Sequence, residues 1–163
     1  MSEPAAGYDS LMVANHAPAF VFEPAVESDF DALAALRIEA MRESLERIGR
    51  FDPARSTQRL RASFDAAHTR HVVVDGVRAG FVIARVDGDA FRIDHLYLRP
   101  AVQSKGLGSS VVEALVAEAR ARALPVRVTA LIESRANDFY ARNGFDCTGR
   151  DGYDVHYRRE TTP

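Results

Sequence analysis

Cysteine is almost missing from this chain of 163 residues: Cys147 stands alone. That count excludes an internal disulfide and a Cys-rich zinc site, and no metal is expected. Cys147 falls in a β-rich run and reads as a small core residue. No apolar run approaches the about 18 residues that a membrane-spanning helix needs. The N-terminus lacks a basic stretch followed by an apolar block, so no secretory signal is visible and a cytoplasmic location is expected. Positive charge is not in excess either. Lys and Arg number 21 against 23 Asp and Glu, a net charge of −2, which argues against a nucleic-acid partner. What remains is a 47% apolar and 27% charged composition, that of an ordinary soluble globule, in a length that suits one domain.

Residues 1–18 show no periodicity and are expected to form a loose leader, with a single domain over 19–160. Ala19 to Glu23 reads as a first strand. Ser28, with Asp31 three residues on, has the form of a helix start, and Phe30, Leu33, Leu36, Ala40, Met41, Leu45 and Ile48 follow at helical spacing up to Gly49. Asp52-Pro53 opens a second helix as cap and N1 proline. From His71 the texture changes. Runs 71–74, 77–86 and 90–98 are separated by Asp75-Gly76 and Asp87-Gly88, the strongest short signal for hairpins, so an antiparallel meander is predicted. A helix over 109–122 and a strand over 126–132 then predict a crossover that sets strands 90–98 and 126–132 parallel. Ser134 caps a short helix ending at Gly144, and 145–150 and 153–158 form a last hairpin. Tyr153, Val155 and Tyr157 would give that hairpin an apolar face, for a homodimer or for the core.

The organising stretch lies between strand 90–98 and the helix after it. Gln103-Ser104-Lys105-Gly106-Leu107-Gly108 joins the two, with Ser109 in the helix's first turn. A first turn has N–H groups without intrahelical partners and partial positive charge, and glycines let backbone curl around an anion. Lys105 adds a full charge. The loop therefore reads as a pyrophosphate cradle. Its spacing is neither G-x-x-x-x-G-K-[ST] nor G-x-G-x-x-G with a later acid, so a Walker-type site and a dinucleotide fingerprint are both excluded.

The pattern Leu96-Tyr97-Leu98-x-Pro100-x-x-Gln103-x-x-Gly106-x-Gly108 resembles the acyl-CoA signature of the GNAT superfamily of N-acyltransferases. Asn137 to Phe145 resembles the family's Asn-x-x-Tyr-x-x-x-Gly-Phe segment. With the element order β-α-α-β-β-β-α-β-α-β-β, the resemblance covers about residues 19–159 and implies the GNAT fold, an α/β (α+β) mixed sheet with splayed central parallel strands. It also implies acetyl-CoA as co-substrate and acetyl transfer to a primary amine by direct attack in a ternary complex. Gln103, Ser104, Lys105, Gly106, Leu107, Gly108 and Ser109 would hold the pyrophosphate. Leu96 and Leu98 would pair their main chain with pantetheine as if with an added strand. The Leu98 N–H would stabilise the oxyanion, and Tyr140, protonated at neutral pH, would donate to the departing thiolate. Asn137 would bind pantetheine, fix the phenol or merely cap its helix, and Arg142 would reach a CoA phosphate or stay in solvent.

The base stays open. Period two puts Arg92, Asp94, Leu96 and Leu98 on one face of the strand and Ile93, His95 and Tyr97 on the other. In the family, bases on this strand come from the positions of Arg92 and Asp94. Asp94 is therefore the candidate, through a water, with a structural salt bridge as its alternative; His95 has the better intrinsic pKa but the wrong facing. Glu39, Glu43 and Glu46 could attract a cationic amine, and Arg42, Arg47, Arg50, Arg55, Arg59 and Arg61 could clamp a carboxylate, or together form a solvated mixed-charge face. The acceptor is expected to be a small-molecule amine, with a protein amine as the alternative. A non-catalytic acyl-CoA-binding or sensing module would keep the cradle without needing Tyr140 or Asp94.

Overall fold

The computed structural model describes residues 17–162; of the expected leader, residues 1–16 lie outside the described residues. One seven-stranded sheet runs in the order β1-β2-β3-β4-β5-β7-β6, with β1 Val21–Pro24, β2 Thr69–Val74, β3 Val77–Asp87, β4 Ala90–Leu98, β5 Val126–Leu131, β6 Asp146–Asp151 and β7 Asp154–Arg159. All pairings are antiparallel except β4 with β5, so the expected meander and the parallel crossover are both present. The last strand, β7, pairs with β5, leaving β6 at the edge.

Helices cover both faces. On one side lies α3, Leu107–Ala121, whose Val111, Val112, Leu115, Val116 and Ala119 recur at helical spacing and are fully buried. Each such aliphatic side chain contributes about 1.5–3 kcal/mol by leaving water. The short α4, Arg135–Arg142, packs on the same side through Tyr140. On the other side, α1 (Phe30–Arg47) and α2 (Pro53–Ser63) close a smaller core of Leu33, Leu36, Leu60, Phe81 and Ile83. The α2 start is as expected, with the Asp52 carboxylate accepting from the Arg55 N–H at 3.1 Å. The α1 start is not. A 3-10 turn over Glu27–Asp29 precedes it, and Asp29, rather than Asp31, bonds back to the Val26 N–H at 2.9 Å. Asp29 also accepts from His71 and Arg78, contacts that draw it to this position. Among the described residues no helix is long and apolar enough to cross a membrane.

Two further expectations are corrected. Ile83 opposes His95 while Ala84 opposes Ile93, so Asp94 is an extra residue, a bulge, in β4. The bulge shifts the phase of the strand. Phe91 and Ile93 before it and Leu96 and Leu98 after it all face the α3 side, whereas Asp94 does not share the face of Leu96 and Leu98. Cys147 is exposed on the edge strand β6, not in the core. Of the two alternatives for the last hairpin's face, Val155 and Tyr157 take the core, buried against the sheet, while Tyr153, in the turn, remains half exposed.

Candidate functional site

The site begins with a gap in the sheet. Strands β4 and β5 pair only from Phe91 to Ile93 and from Val126 to Val128, then part, although both continue. On its other edge β4 stays bonded to β3. The Arg99 N–H donates to Ala79 O at 2.8 Å, which marks Arg99 and Ala79 as a hydrogen-bonded pair. By antiparallel alternation the intervening residues opposite Gly80 and Val82, which are Leu98 and Leu96, turn their main-chain groups toward the gap. One of these is already engaged: Gln103 Nε2 donates to Leu98 O at 2.9 Å, fixing the cradle loop to the strand end.

The loop turns through two left-handed residues, Ser104 (φ 64°) and Gly106 (φ 81°). Gly106 is the N-cap of α3 and, having no side chain, leaves the first turn uncapped. The first N–H to bond back is that of Ser110, to Gly106 O at 3.2 Å, so those of Leu107, Gly108 and Ser109 lack intrahelical acceptors. A Cβ on Gly108 would lie 3.1 Å from the Phe139 ring, so glycine keeps this wall flat. Against it opens a cleft of about 630 Å³. Of the expected cofactor residues, Leu96, Leu98, Gln103, Ser104, Gly106, Gly108 and Ser109 line it from β4 and the loop, and Tyr140 and Arg142 line it from α4. The other three do not. The Leu107 side chain is 1% exposed in the core, Lys105 is at the exposed loop apex, and Asn137 is held elsewhere. Asn137 Nδ2 donates to Leu131 O and Ser134 O at 2.8 and 3.0 Å, and its Oδ1 accepts from the Tyr157 hydroxyl at 2.8 Å. It ties α4 to β5 and β7, and does not fix the Tyr140 phenol.

Tyr140 sits where two clefts meet. Its ring packs against Phe139, Phe145 and Tyr157 and is 5% exposed, and burial pushes its phenol pKa upward. Among the described residues its hydroxyl has no hydrogen-bond partner, while the side chain lines both the cleft of about 630 Å³ and a central cleft of about 200 Å³. The central cleft passes through the gap to α1, with Met41, Glu43, Asp94, Tyr97 and Leu98 on its walls.

Asp94 is caught between arginines. Its Oδ1 accepts from Arg92 Nε at 2.6 Å; Arg85 Nε lies 3.0 Å from its Oδ2, which is enclosed and has no aligned donor. His95 lies at the end of a relay. Arg37 Nε donates to the Tyr97 hydroxyl at 3.1 Å, the hydroxyl meets His95 Nδ1 at 3.1 Å, and His95 Nε2 meets Ser63 Oγ at 2.6 Å. With Tyr97 receiving from Arg37, the consistent directions are Tyr97 to His95 Nδ1 and His95 Nε2 to Ser63. Burial, helped by the Arg37 charge, lowers the His95 pKa to about 3, so the ring is neutral at physiological pH. The glutamates of α1 are paired: Glu39 with Arg99, Glu43 with Arg47 and Arg135, Glu46 with Arg42. Arg61 pairs with Glu27 and stacks over Phe30.

Two site residues escaped sequence reasoning. Arg135 lines both main clefts, and nothing in its local pattern marks it. Arg37 did leave a signal: it shares the helical stripe of Leu33 and Leu36, where an arginine is out of place.

The family model described as Acetyltransferase (GNAT) domain matches residues 39–158. The chain therefore belongs to the GNAT acetyltransferase family, whose acetyl transfer depends on acyl-CoA. Solved structures agree on the fold. A paia N-acetyltransferase from Thermoplasma acidophilum, in complex with coenzyme A, superposes with TM-score 0.69 at 16% identity, over 87% of this chain and 99% of that one. A GCN5-related N-acetyltransferase from Rhodopseudomonas palustris gives 0.64 at 22% identity, over 89% and 96%. A GNAT-family acetyltransferase from Listeria monocytogenes gives 0.60 at 18%, over 86% and 94%. No curated protein matches the chain.

Proposed function

We propose that the chain transfers an acetyl group from acetyl-CoA to a primary amine by direct attack, with both substrates bound together. The observation that carries the reading is the Tyr140 hydroxyl, carried on a buried ring, without a hydrogen-bond partner among the described residues, and shared by the cleft with the uncapped α3 turn and the cleft reaching α1. A phenol kept protonated by burial suits the general acid. Acetyl-CoA supplies an acyl group activated as a thioester. The residues fit it: the free N–H groups of Leu107, Gly108 and Ser109 suit a pyrophosphate, and the gap edge at Leu96 and Leu98 suits a strand-like pantetheine. The coenzyme A complex of the Thermoplasma protein of the same fold supports the same reading.

In this reading the acceptor nitrogen, neutral and in the central cleft, forms its bond to the thioester carbonyl carbon as the carbon–sulfur bond breaks. The Leu98 N–H stabilises the negative charge growing on the carbonyl oxygen. Tyr140 donates its proton to the departing sulfur and is reprotonated from solvent. The geometry favours water over Asp94 as the taker of the amine proton, since Arg92 holds one oxygen of Asp94 and the other is enclosed beside Arg85. The test is CoA release from acetyl-CoA across a set of primary amines by wild type and Tyr140→Phe. We expect turnover about 10²-fold lower in the variant with acetyl-CoA binding kept. Equal turnover would remove Tyr140 from the mechanism.

A further inference from the structure

Arg37 is a charge in an apolar place. It is 6% exposed on the buried stripe of α1, and among the described residues no carboxylate lies within ion-pair distance of it. Its partners are neutral: the Tyr97 hydroxyl from Nε, and Ser56 O and Oγ at 2.9 and 2.5 Å from Nη1. Nη2 has no partner. A guanidinium taken out of water without an anion is costly, and natural structures usually pair one. Arg37 also lines a small cleft, about 50 Å³, between α1, α2 and the β6–β7 turn.

The surroundings of this cleft are one-sided. Arg50, Arg55 and Arg59 line it with Arg37, and the single acid among the lining residues, Asp52, is engaged as the α2 cap. Arg55 and Arg59 have no ion-pair partner among the described residues, and Arg50 lies over the Tyr153 ring at 4.5 Å. Elsewhere on α1 the arginines Arg42 and Arg47 each meet a glutamate. The cleft is also next to the chemistry. Met41 and Leu131 line both it and the central cleft, and Tyr97, which Arg37 holds, is a wall of the latter.

We propose that the acceptor is a small molecule bearing a carboxylate as well as its amine, an amino-acid-like compound, with the carboxylate seated on Arg37 Nη2. Arg55 and Arg59 supply further donors, and the amine reaches into the central cleft beside Tyr140. This rests on the acetyl-transfer reading of the site. It gives the unpaired guanidinium its anion only when substrate is bound, so a ligand lacking the carboxylate leaves a buried charge unmatched. Sites built this way reject the analogue that lacks the matching group.

The test measures CoA release at saturating acetyl-CoA with α-amino acids of graded side-chain size, each beside the amine that its decarboxylation gives. We expect kcat/KM to favour the carboxylated member of at least one pair by about 10²-fold or more. Arg37→Gln should abolish that preference, provided its melting curve shows a folded protein. Arg59→Gln, on the exposed rim, should weaken it about tenfold through KM even if the Arg37 variant does not fold. Equal use of both members, preference for the decarboxylated amine, or release with neither overturns the proposal. The melting shift with acetyl-CoA in the same samples separates these failures from failure of the cofactor site: a shift kept without carboxylate preference leaves that site standing.

Discussion

The two walls of the gap are built from different materials. The wall proposed for the cofactor is main chain: the gap-facing edge of Leu96 and Leu98, the left-handed turns at Ser104 and Gly106, and the uncapped first turn of α3. The wall proposed for the acceptor is side chain: Arg37 on Tyr97 and Ser56, His95 on Ser63, and arginines around a small cleft. Backbone recognition needs few particular residues, chiefly glycines where a Cβ would intrude, and so can be shared by chains with little identity. Side-chain recognition is where such chains diverge. The lesson is that the donor can be read from a short motif while the acceptor must be read from contacts.

That contrast can be broken at several points. The largest effect should come from filling the backbone wall. Gly108→Val forces a branched side chain toward the Phe139 ring, and we expect acetyl-CoA affinity to fall at least about 10²-fold, the scale of about 3 kcal/mol of overpacking; titration calorimetry measures it, and unaltered affinity would mean that the flat wall is not where the ligand lies. Next in size is the about 10²-fold loss of turnover in Tyr140→Phe, against a smaller change in Asp94→Asn if water takes the amine proton. A loss in Asp94→Asn as large as in Tyr140→Phe would restore Asp94 as the base.

The acceptor wall also has a pH signature. His95 has a folded pKa of about 3, below its ordinary 6.5, so below pH 6.5 the unfolded chain takes up a proton that the folded chain refuses. Its contribution to stability is complete above that pH and is lost as pH falls toward 3. Asp29 behaves likewise lower down. Its carboxyl is drawn from 3.8 to about 2, first by the Val26 N–H and then by His71, so its contribution is lost across that lower window. Denaturant melts of wild type and His95→Gln between pH 7 and 4 should show the slope in the first and a flatter dependence in the second. The smallest effect concerns a bond outside the chemistry. Tyr157→Phe removes the hydroxyl that Asn137 accepts, and should cost about 1 kcal/mol of stability with turnover kept.

Most of the fold was legible because local signals agreed with one another. Asp75-Gly76 gave the first hairpin and Asp87-Gly88 the second, whose turn falls one residue on at Gly88-Asp89; Asp52-Pro53 gave the α2 start, and the loop from Gln103 to Gly108 gave the strand-to-helix turn. The bulge at Asp94 was not legible. It depends on how Ile83 and Ala84 register across from β4, a long-range fact, and it undid the simple alternation on which the facing of Asp94 rested. The exposure of Cys147 is not legible for a similar reason, since a strand's burial depends on whether it ends up at the sheet edge. Arg37 is legible in part: its spacing from Leu33 puts it on the buried stripe, and only the contacts reveal that its hydrogen-bond partners are all neutral.

The most direct test of the account is a thermal melt with saturating acetyl-CoA, with free CoA, and with ATP. A ligand at about 100 Kd adds about 2.7 kcal/mol, which for a domain of this size raises Tm by roughly 5 to 10 °C. We expect that rise with acetyl-CoA and with CoA and none with ATP, because the proposed partner of the gap edge at Leu96 and Leu98 is pantetheine, which ATP lacks. No rise with either acetyl-CoA or CoA would contradict it and reduce the loop before α3 to an ordinary turn.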